Sequence, residues 1–269
     1  MSDTTLPFSP KHRCVSVVIP CFNEVDGVSK LSETLRAFAK AHEDEFMFEF
    51  ILVDDGSTDA TWEVLAEHFE GWELARMIRH PENQGLMAAV MTGIRAASYE
   101  IVCSMDSDCT YHPDGIADLV DALEQPGVMA ATGSPYHPMG TIKNVPAWRI
   151  WLSQIASHLY SYILRNRLYC YTSCFRAYRK SFVENVKLDH NGYVGTVEIL
   201  WKMETETGGE IAEIPSTLSL RQYGQSKCRV VQVAFGHLVF MSRIIRARLF
   251  AGFNFSPPAT HTQQNRLSP

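Results

Sequence analysis

Asp106-Ser107-Asp108 follows directly on the apolar run at 101–105 (IVCSM), so two carboxylates meet at the end of a candidate strand. Acids so placed cannot both be buried, ionised and unpaired. A hard divalent cation resolves the repulsion: Mg2+ or Mn2+ takes one or two carboxylates and completes its shell with water or diphosphate oxygens. Asp106 and Asp108 are therefore candidate metal ligands. A second acidic turn, Asp54-Asp55-Gly56-Ser57-Thr58-Asp59, closes the run at 48–53 (FEFILV). Its carboxylates can accept hydrogen bonds from a base or ribose, Gly56 suits a tight turn, and Ser57 or Thr58 can cap a helix. The bland alternative is a turn and cap with incidental acids. Pro20-Cys21-Phe22-Asn23-Glu24 closes the run at 15–20 (VSVVIP), from which Asn23 or Glu24 could reach the same ligand.

These turns need a frame that brings them together. The runs at 15–20, 48–53, 75–80, 101–105 and 128–132 predict strands. Helical patterns at 25–42, 58–69, 85–97 and 113–123 lie between them. Such alternation implies an α/β fold, a mostly parallel sheet flanked by helices, with ligands beyond the carboxyl ends of the strands. Beyond it, helices are expected at 148–164 and 194–205 and a short strand at 210–215. An amphipathic C-terminal helix is expected at 230–250, either packed on the domain or lying in a bilayer interface. The expected organisation is an N-terminal extension (1–13), one domain (14–228), the amphipathic helix (229–252) and a proline-rich, polar, disordered tail (253–269).

Composition narrows the function. A net charge of −6 argues against general nucleic-acid binding. The average conceals an asymmetry: no Asp or Glu occurs from 125 to 183 or from 214 to 269, yet both stretches carry several Lys and Arg. Two acid-free basic stretches suggest one electropositive face suited to phosphates or anionic lipid, against the alternative of a merely solvated basic surface. Seven cysteines without a CxxC pair read as reduced thiols. With no secretory signal and no apolar run of membrane-spanning length, the chain is expected to be cytoplasmic, soluble or peripheral on a membrane.

Four motifs, VSVVIPCFNE, ILVDDGSTDAT, HPENQGLMAAVMTGIRAA and IVCSMDSDCTYHPD, resemble in order and spacing those of family 2 glycosyltransferases. GSPYHPMG, TSCFRAYRK, GYVGTVEILWKM and RQYGQSK are similar to the branch of dolichol-phosphate mannose and polyprenyl-phosphate sugar synthases. The resemblance covers about residues 14–250. It implies a GT-A (Rossmann-like) fold in which Pro20, Asn23, Glu24, Asp54 and Asp55 hold the nucleotide and Asp106 and Asp108 hold Mg2+ or Mn2+ on the donor diphosphate. It further implies that Arg149 and Ser153 lie near an acceptor phosphate, with Arg221 and Lys227 in a basic loop that closes over phosphates. Four positions depart from it: Pro135 where the family usually has Arg, Cys174 where glycine is typical, and Thr110 and Thr196 where Gln is frequent.

The implied reaction moves a hexose, with inversion, from a nucleotide-diphosphate sugar of GDP-mannose or UDP-glucose type to a polyprenyl or dolichyl phosphate at the membrane surface. A phosphate is already ionised at neutral pH and needs no strong base, whereas a hydroxyl acceptor does. Glu198 is the single acid at the start of its predicted helix: a weak base, an ordering group or an ordinary helix-start residue. The rival readings are a family 2 transferase acting on a hydroxyl of a lipid or glycan, and a non-catalytic nucleotide-sugar-binding subunit.

Overall fold

Strand β1 (Arg13–Cys21) shows why the sheet forms. Val15, Val17 and Ile19 pack into one hydrophobic layer and Val18 into the other, all fully buried. That is the two-residue period of a strand covered on both faces. The computed structural model describes residues 12–221 and 230–250; Lys227 and the expected tail at 253–269 lie outside the described residues.

After a short 3-10 turn come α1 (Val28–Ala41), β2 (Phe46–Asp54), α2 (Thr61–Phe69), β3 (Ala75–Arg79), α3 (Leu86–Ala96), β4 (Ile101–Ser104), α4 (Gly115–Leu123) and β5 (Val128–Ser134). The second half adds β6 (Thr141–Lys143), α5 (Ala147–Ile163), β7 (Arg176–Arg179), α6 (Lys180–Val183), α7 (Gly195–Thr207), β8 (Glu210–Pro215), β9 (Thr217–Ser219) and α8 (Val230–Phe250). The main sheet runs β3-β2-β1-β4-β7-β5-β8, and β6 pairs with β9 apart from it. β1 is parallel to β2 and β4, β2 to β3, and β5 to β8, so the expected mostly parallel sheet is what forms.

The small β6–β9 pair was not expected, and one strand of the main sheet also departs from expectation. β7 enters antiparallel between β4 and β5. Its sequence, RAYR, is too short and too charged to read as a buried strand, yet Arg176 is fully buried. Its guanidinium donates to Tyr171 O at 2.6 Å, to Thr132 Oγ1 at 3.3 Å and to Thr196 O, which offsets the cost of burying the charge.

Helices cover both faces. Leu35 of α1, Leu65 of α2 and Leu119 of α4 pack on one side, and Val90 of α3 and Leu200 of α7 on the other. Each such side chain contributes roughly 1.5–3 kcal/mol by leaving water. α8 packs by one face only: Phe240, Met241 and Ile244 join the second layer, and Tyr160 OH of α5 lies 2.9 Å from His237 Nδ1. Burial lowers the His237 pKa to about 4, with the neighbouring His190 acting in the same direction. Among the described residues no helix is long and apolar enough to cross a membrane.

Candidate active site

β1, β2 and β4 run parallel, so their carboxyl ends reach a common rim. Cys21 pairs with Asp54 across β1 and β2, and Val18 with Ser104 across β1 and β4. This register carries the three polar turns to the mouth of one cleft of about 510 Å³. Pro20, Glu24, Asp55, Asp106 and Asp108 line one part of it, and Arg149, Ser153 and Arg221 also reach its surface. Asn23, Asp54 and Glu198 do not line it.

The geometry separates ligand-facing groups from those that hold the turns. Asn23 has φ 53, and its Oδ1 accepts from Thr58 N at 2.8 Å and Thr58 Oγ1 at 3.3 Å, stapling the first turn to the second. Glu24 N donates to Thr61 Oγ1 at 2.8 Å, which leaves the Glu24 side chain on the cleft wall. Asp54 is fully buried; its Oδ1 accepts from Ser57 N at 3.2 Å and its Oδ2 lies 3.1 Å from Arg79 Nε as an ion pair. Asp55 reaches the cleft, but its carboxylate is already engaged. His80 Nδ1 stands 2.7 Å away, and Asn83 Nδ2, Gln84 N and Gly85 N donate at 3.0, 2.9 and 2.8 Å. The His80 ring is fixed in turn by Thr92 Oγ1 at 3.0 Å from Nε2. Asp55 therefore organises the loop at 83–85, which brings Asn83 and Gly85 to the cleft. Gly56 and Gly85 make this approach possible. Both have positive φ (67 and 103), and a Cβ would sit 2.3 Å from Glu82 C at Gly56 and 2.6 Å from Asn191 O at Gly85.

Asp106 and Asp108 face the cleft from the loop beyond β4. Enclosure by protein, then the charge of Asp108, raises the Asp106 pKa to about 7, while Arg221 acts to lower it. Arg221 pairs with Glu24, and its Nη1 lies 3.7 Å from Asp108 Oδ2. The structure thus sets Arg221 among the acids of the cleft. No group of three or more His, Cys, Asp or Glu suited to a metal occurs among the described residues. The donor set is a pair of acids separated by one residue, whose mutual repulsion Arg221 offsets only in part. It fits a Mg2+-like cation that draws its remaining ligands from diphosphate and water.

Another part of the cleft lining is built by α5 and the segment before β7. Ser153 Oγ lies 2.8 Å from Thr172 Oγ1, and Arg149 stands one turn earlier on α5 with its guanidinium 5.3 Å from the Trp148 ring centroid. Thr172, Ser173 and Tyr136 join this wall. The segment is held from beneath: Glu213 accepts from Tyr169 N and Cys170 N at 2.7 and 2.8 Å, and Arg176 grips Tyr171 O. Sequence reasoning assigned no role to Thr172, Tyr136, His80 or Asn83. All four lie inside quoted motifs, His80 and Asn83 in HPENQG, Tyr136 in GSPYHPMG and Thr172 in TSCFRAYRK, so a signal existed, though their contacts are visible only in the structure.

Glu198 is fully buried behind the cleft. Its carboxylate accepts from Asp189 N at 3.1 Å and His190 N at 2.9 Å, with His190 Nδ1 at 2.9 Å and Lys202 Nζ at 3.1 Å. It ties down the loop at 189–193, whose Gly192 and Tyr193 reach the cleft. Asn191 O in that loop accepts from Met87 N at 2.6 Å, connecting the loop to the start of α3. Of the roles open to Glu198, this arrangement favours ordering the site.

Residues 16–187 match the family described as glycosyl transferase family 2. A dolichol-phosphate mannosyltransferase of Pyrococcus furiosus is 31% identical over 217 residues, covering 80% of this chain and 59% of that protein. A polyprenol monophosphomannose synthase of Mycolicibacterium smegmatis is 28% identical over 218 residues, covering 78% of this chain and 79% of that protein. A dodecaprenyl-phosphate galacturonate synthase of Rhizobium johnstonii is 30% identical, with 79% and 61% covered. The chain thus spans about three-fifths of the length of the first and third of these relatives. The solved structure of glucosyl-3-phosphoglycerate synthase from Mycobacterium tuberculosis with Mn2+ and UDP-glucose is similar in fold. Its TM-score is 0.59 at 22% identity, with 91% of this chain and 81% of that chain covered. The same synthase is also solved with Mg2+ and UDP. With the parallel sheet, the acidic rim and the matched motifs in place, this chain belongs to glycosyl transferase family 2.

Proposed function

We propose that this protein transfers a hexose from a nucleotide-diphosphate sugar to a polyprenyl or dolichyl phosphate, working as a peripheral protein on the cytoplasmic face of a membrane. The observation that carries this reading is a single cleft with paired acids on one wall and Arg149, Ser153 and Thr172 on another. The names of the relatives, two of them polyprenyl-type and one dolichol-phosphate sugar transferases, agree with a lipid phosphate as acceptor.

In this reading Asp106 and Asp108 hold Mg2+ or Mn2+ against the donor diphosphate. When bound, such an ion neutralises charge on the departing nucleoside diphosphate, as metals do for phosphoryl leaving groups. The loop organised by Asp55 shapes the nucleotide end of the cleft, with Pro20 and Glu24 on its wall. Arg221 is a second positive charge on the donor side, and Lys227 is expected to act with it. Arg149 and the hydroxyls of Ser153 and Thr172 orient the acceptor so that an ionised phosphate oxygen attacks the anomeric carbon. A bond forms from that oxygen to the carbon while the bond to the donor's phosphate oxygen breaks, with inversion. No base is needed, which accords with a Glu198 occupied by backbone N–H groups. Pro135, just beyond β5, keeps a hydroxyl acceptor as the second reading, because the family resemblance implies an arginine at that position.

The test is transfer of labelled sugar from GDP-mannose or UDP-glucose with Mn2+, with and without polyprenyl phosphate. A lipid product released by mild acid is expected, since glycosyl phosphates are acid-labile; an acid-stable product would establish the hydroxyl reading instead. Asp108→Ala should cost several orders of magnitude in turnover while the protein keeps its melting temperature; undiminished turnover would remove the acid pair from the reaction.

A further inference from the structure

GDP and UDP donors differ in the edge of the base that a protein can read. Guanine presents two neighbouring donors, its ring N1–H and its exocyclic amino group, and a carboxylate with two open oxygens matches that pair. Uracil presents one donor, N3–H, between two carbonyl oxygens, and needs a single acceptor. Stacking does not separate the two, because every base has a face for an aromatic ring. Phe22, half-buried and lining the cleft beside Cys21, can supply such a ring to either. The acceptors at the nucleotide end of the cleft therefore decide.

Two carboxylates line that end, and both are engaged. Asp55 Oδ1 accepts from His80 Nδ1 at 2.7 Å and from Gln84 N at 2.9 Å, and its Oδ2 accepts from Asn83 Nδ2 at 3.0 Å and from Gly85 N at 2.8 Å. A carboxylate oxygen has two lone-pair sites, so Asp55 has none left for a base. Glu24 is paired with Arg221, which also lies by Asp108. Of the residues lining this end, Asn83 carries the remaining side-chain acceptor. Its Nδ2 donates to Asp55 Oδ2 and also to Asp55 O at 3.3 Å. Both partners are acceptors, which fixes the amide's orientation and leaves Oδ1 as the group that Asn83 presents to a ligand.

We infer that the nucleotide end of the cleft is built for uracil, so that the donor is a uridine-diphosphate sugar: Asn83 Oδ1 accepts from N3–H, and the saturated Asp55 withholds the second acceptor that guanine requires. This deepens the proposed function and rests on it for the presence of a nucleotide at this end. Guanine in the same place would hold one donor away from water without a partner, a loss of about tenfold to a hundredfold in affinity. Cytosine gives the closer comparison. It has the same ring and the same stacking face, but its N3 carries no hydrogen and would meet Asn83 Oδ1 lone pair to lone pair.

The test is calorimetric titration of the full chain with UDP, CDP and GDP, each in the presence of Mn2+. UDP is expected to bind more tightly than either of the others by about tenfold or more. Asn83→Ala, a change at an exposed loop residue, should weaken UDP by about tenfold and bring it level with CDP, while GDP is not weakened. GDP binding as tightly as UDP to wild type, or UDP and CDP binding alike, overturns the choice of uracil and leaves the nucleotide reading intact. A preference for UDP over CDP that survives in Asn83→Ala overturns the role given to Asn83. Failure of all three nucleotides to bind wild type would overturn the nucleotide reading itself, and the choice of base with it.

Discussion

Substituting Glu198 by Gln tests whether the structure has separated a positioning residue from a catalytic base. The side chain keeps its shape but loses its charge, and its new NH2 group meets donors. One carboxylate now serves Asp189 N, His190 N, His190 Nδ1 and Lys202 Nζ, all within 3.1 Å. An amide can satisfy some of these with its oxygen, while its nitrogen opposes the rest and leaves Lys202 without its buried counter-charge. Breaking a buried pair of this kind costs about 3–5 kcal/mol. At roughly 2–4 °C per kcal/mol for a domain of this size, Tm should fall by roughly 6–20 °C. Catalysis should suffer through the loop at 189–193, with kcat and donor affinity reduced together and the pH–rate profile unchanged in shape. The assays are thermal unfolding of both proteins and steady-state transfer across about pH 6–9. A Glu198→Gln protein that melts like wild type, loses kcat by about 10²–10⁴ and loses one limb of the pH profile would refute this reasoning and make Glu198 a base.

Further expectations follow from other contacts. Arg149→Ala should raise the acceptor KM by about ten- to a hundredfold, the worth of a charged hydrogen bond, while thermal-shift titration finds donor affinity unaltered; equal weakening of both would move Arg149 to the donor side. His237 is held neutral, with its pKa lowered to about 4 against about 6.5 for a free imidazole, so the unfolded chain binds more protons between those values. Stability contributed by the neutral ring is complete above about pH 6.5 and is lost as pH falls towards 4, by at most about 3 kcal/mol. Tm measured against pH should fall less steeply in His237→Asn, and parallel curves would exclude this role. Gly85→Ala, at φ 103 and with its Cβ 2.6 Å from Asn191 O, should cost about 1–3 kcal/mol and weaken nucleotide binding, both read by thermal shift with and without UDP or GDP.

Much of the nucleotide half could be read without coordinates because its information is local. In β1 the alternation of Val15, Val17 and Ile19 with Val18 marks a strand buried on both faces, and in each case an acidic or polar turn follows within a few residues. Parallel connection then carries those turns to one rim, so Asp55, Asp106 and Asp108 meet as strand ends must. The distinction between Asp54 and Asp55 was beyond reach. Adjacent residues along an extended chain point to opposite faces, and only the sheet's surroundings decide that one is buried against Arg79 and the other meets the cleft.

The sequence by itself determined the order of strands and helices from β1 to β5, the acids at the strand ends and the absence of acid from α5 and α8, because period, turn chemistry and composition are properties of neighbours along the chain. The tertiary structure alone decided the antiparallel entry of β7, the burial of Arg176 against Tyr171, Thr132 and Thr196, the fixing of Glu198 by the loop at 189–193, and which face of α8 is covered. Each of these depends on partners far apart in sequence. A charged or polar side chain reads as a surface residue until distant backbone groups arrive to satisfy it, and that arrival is what folding supplies.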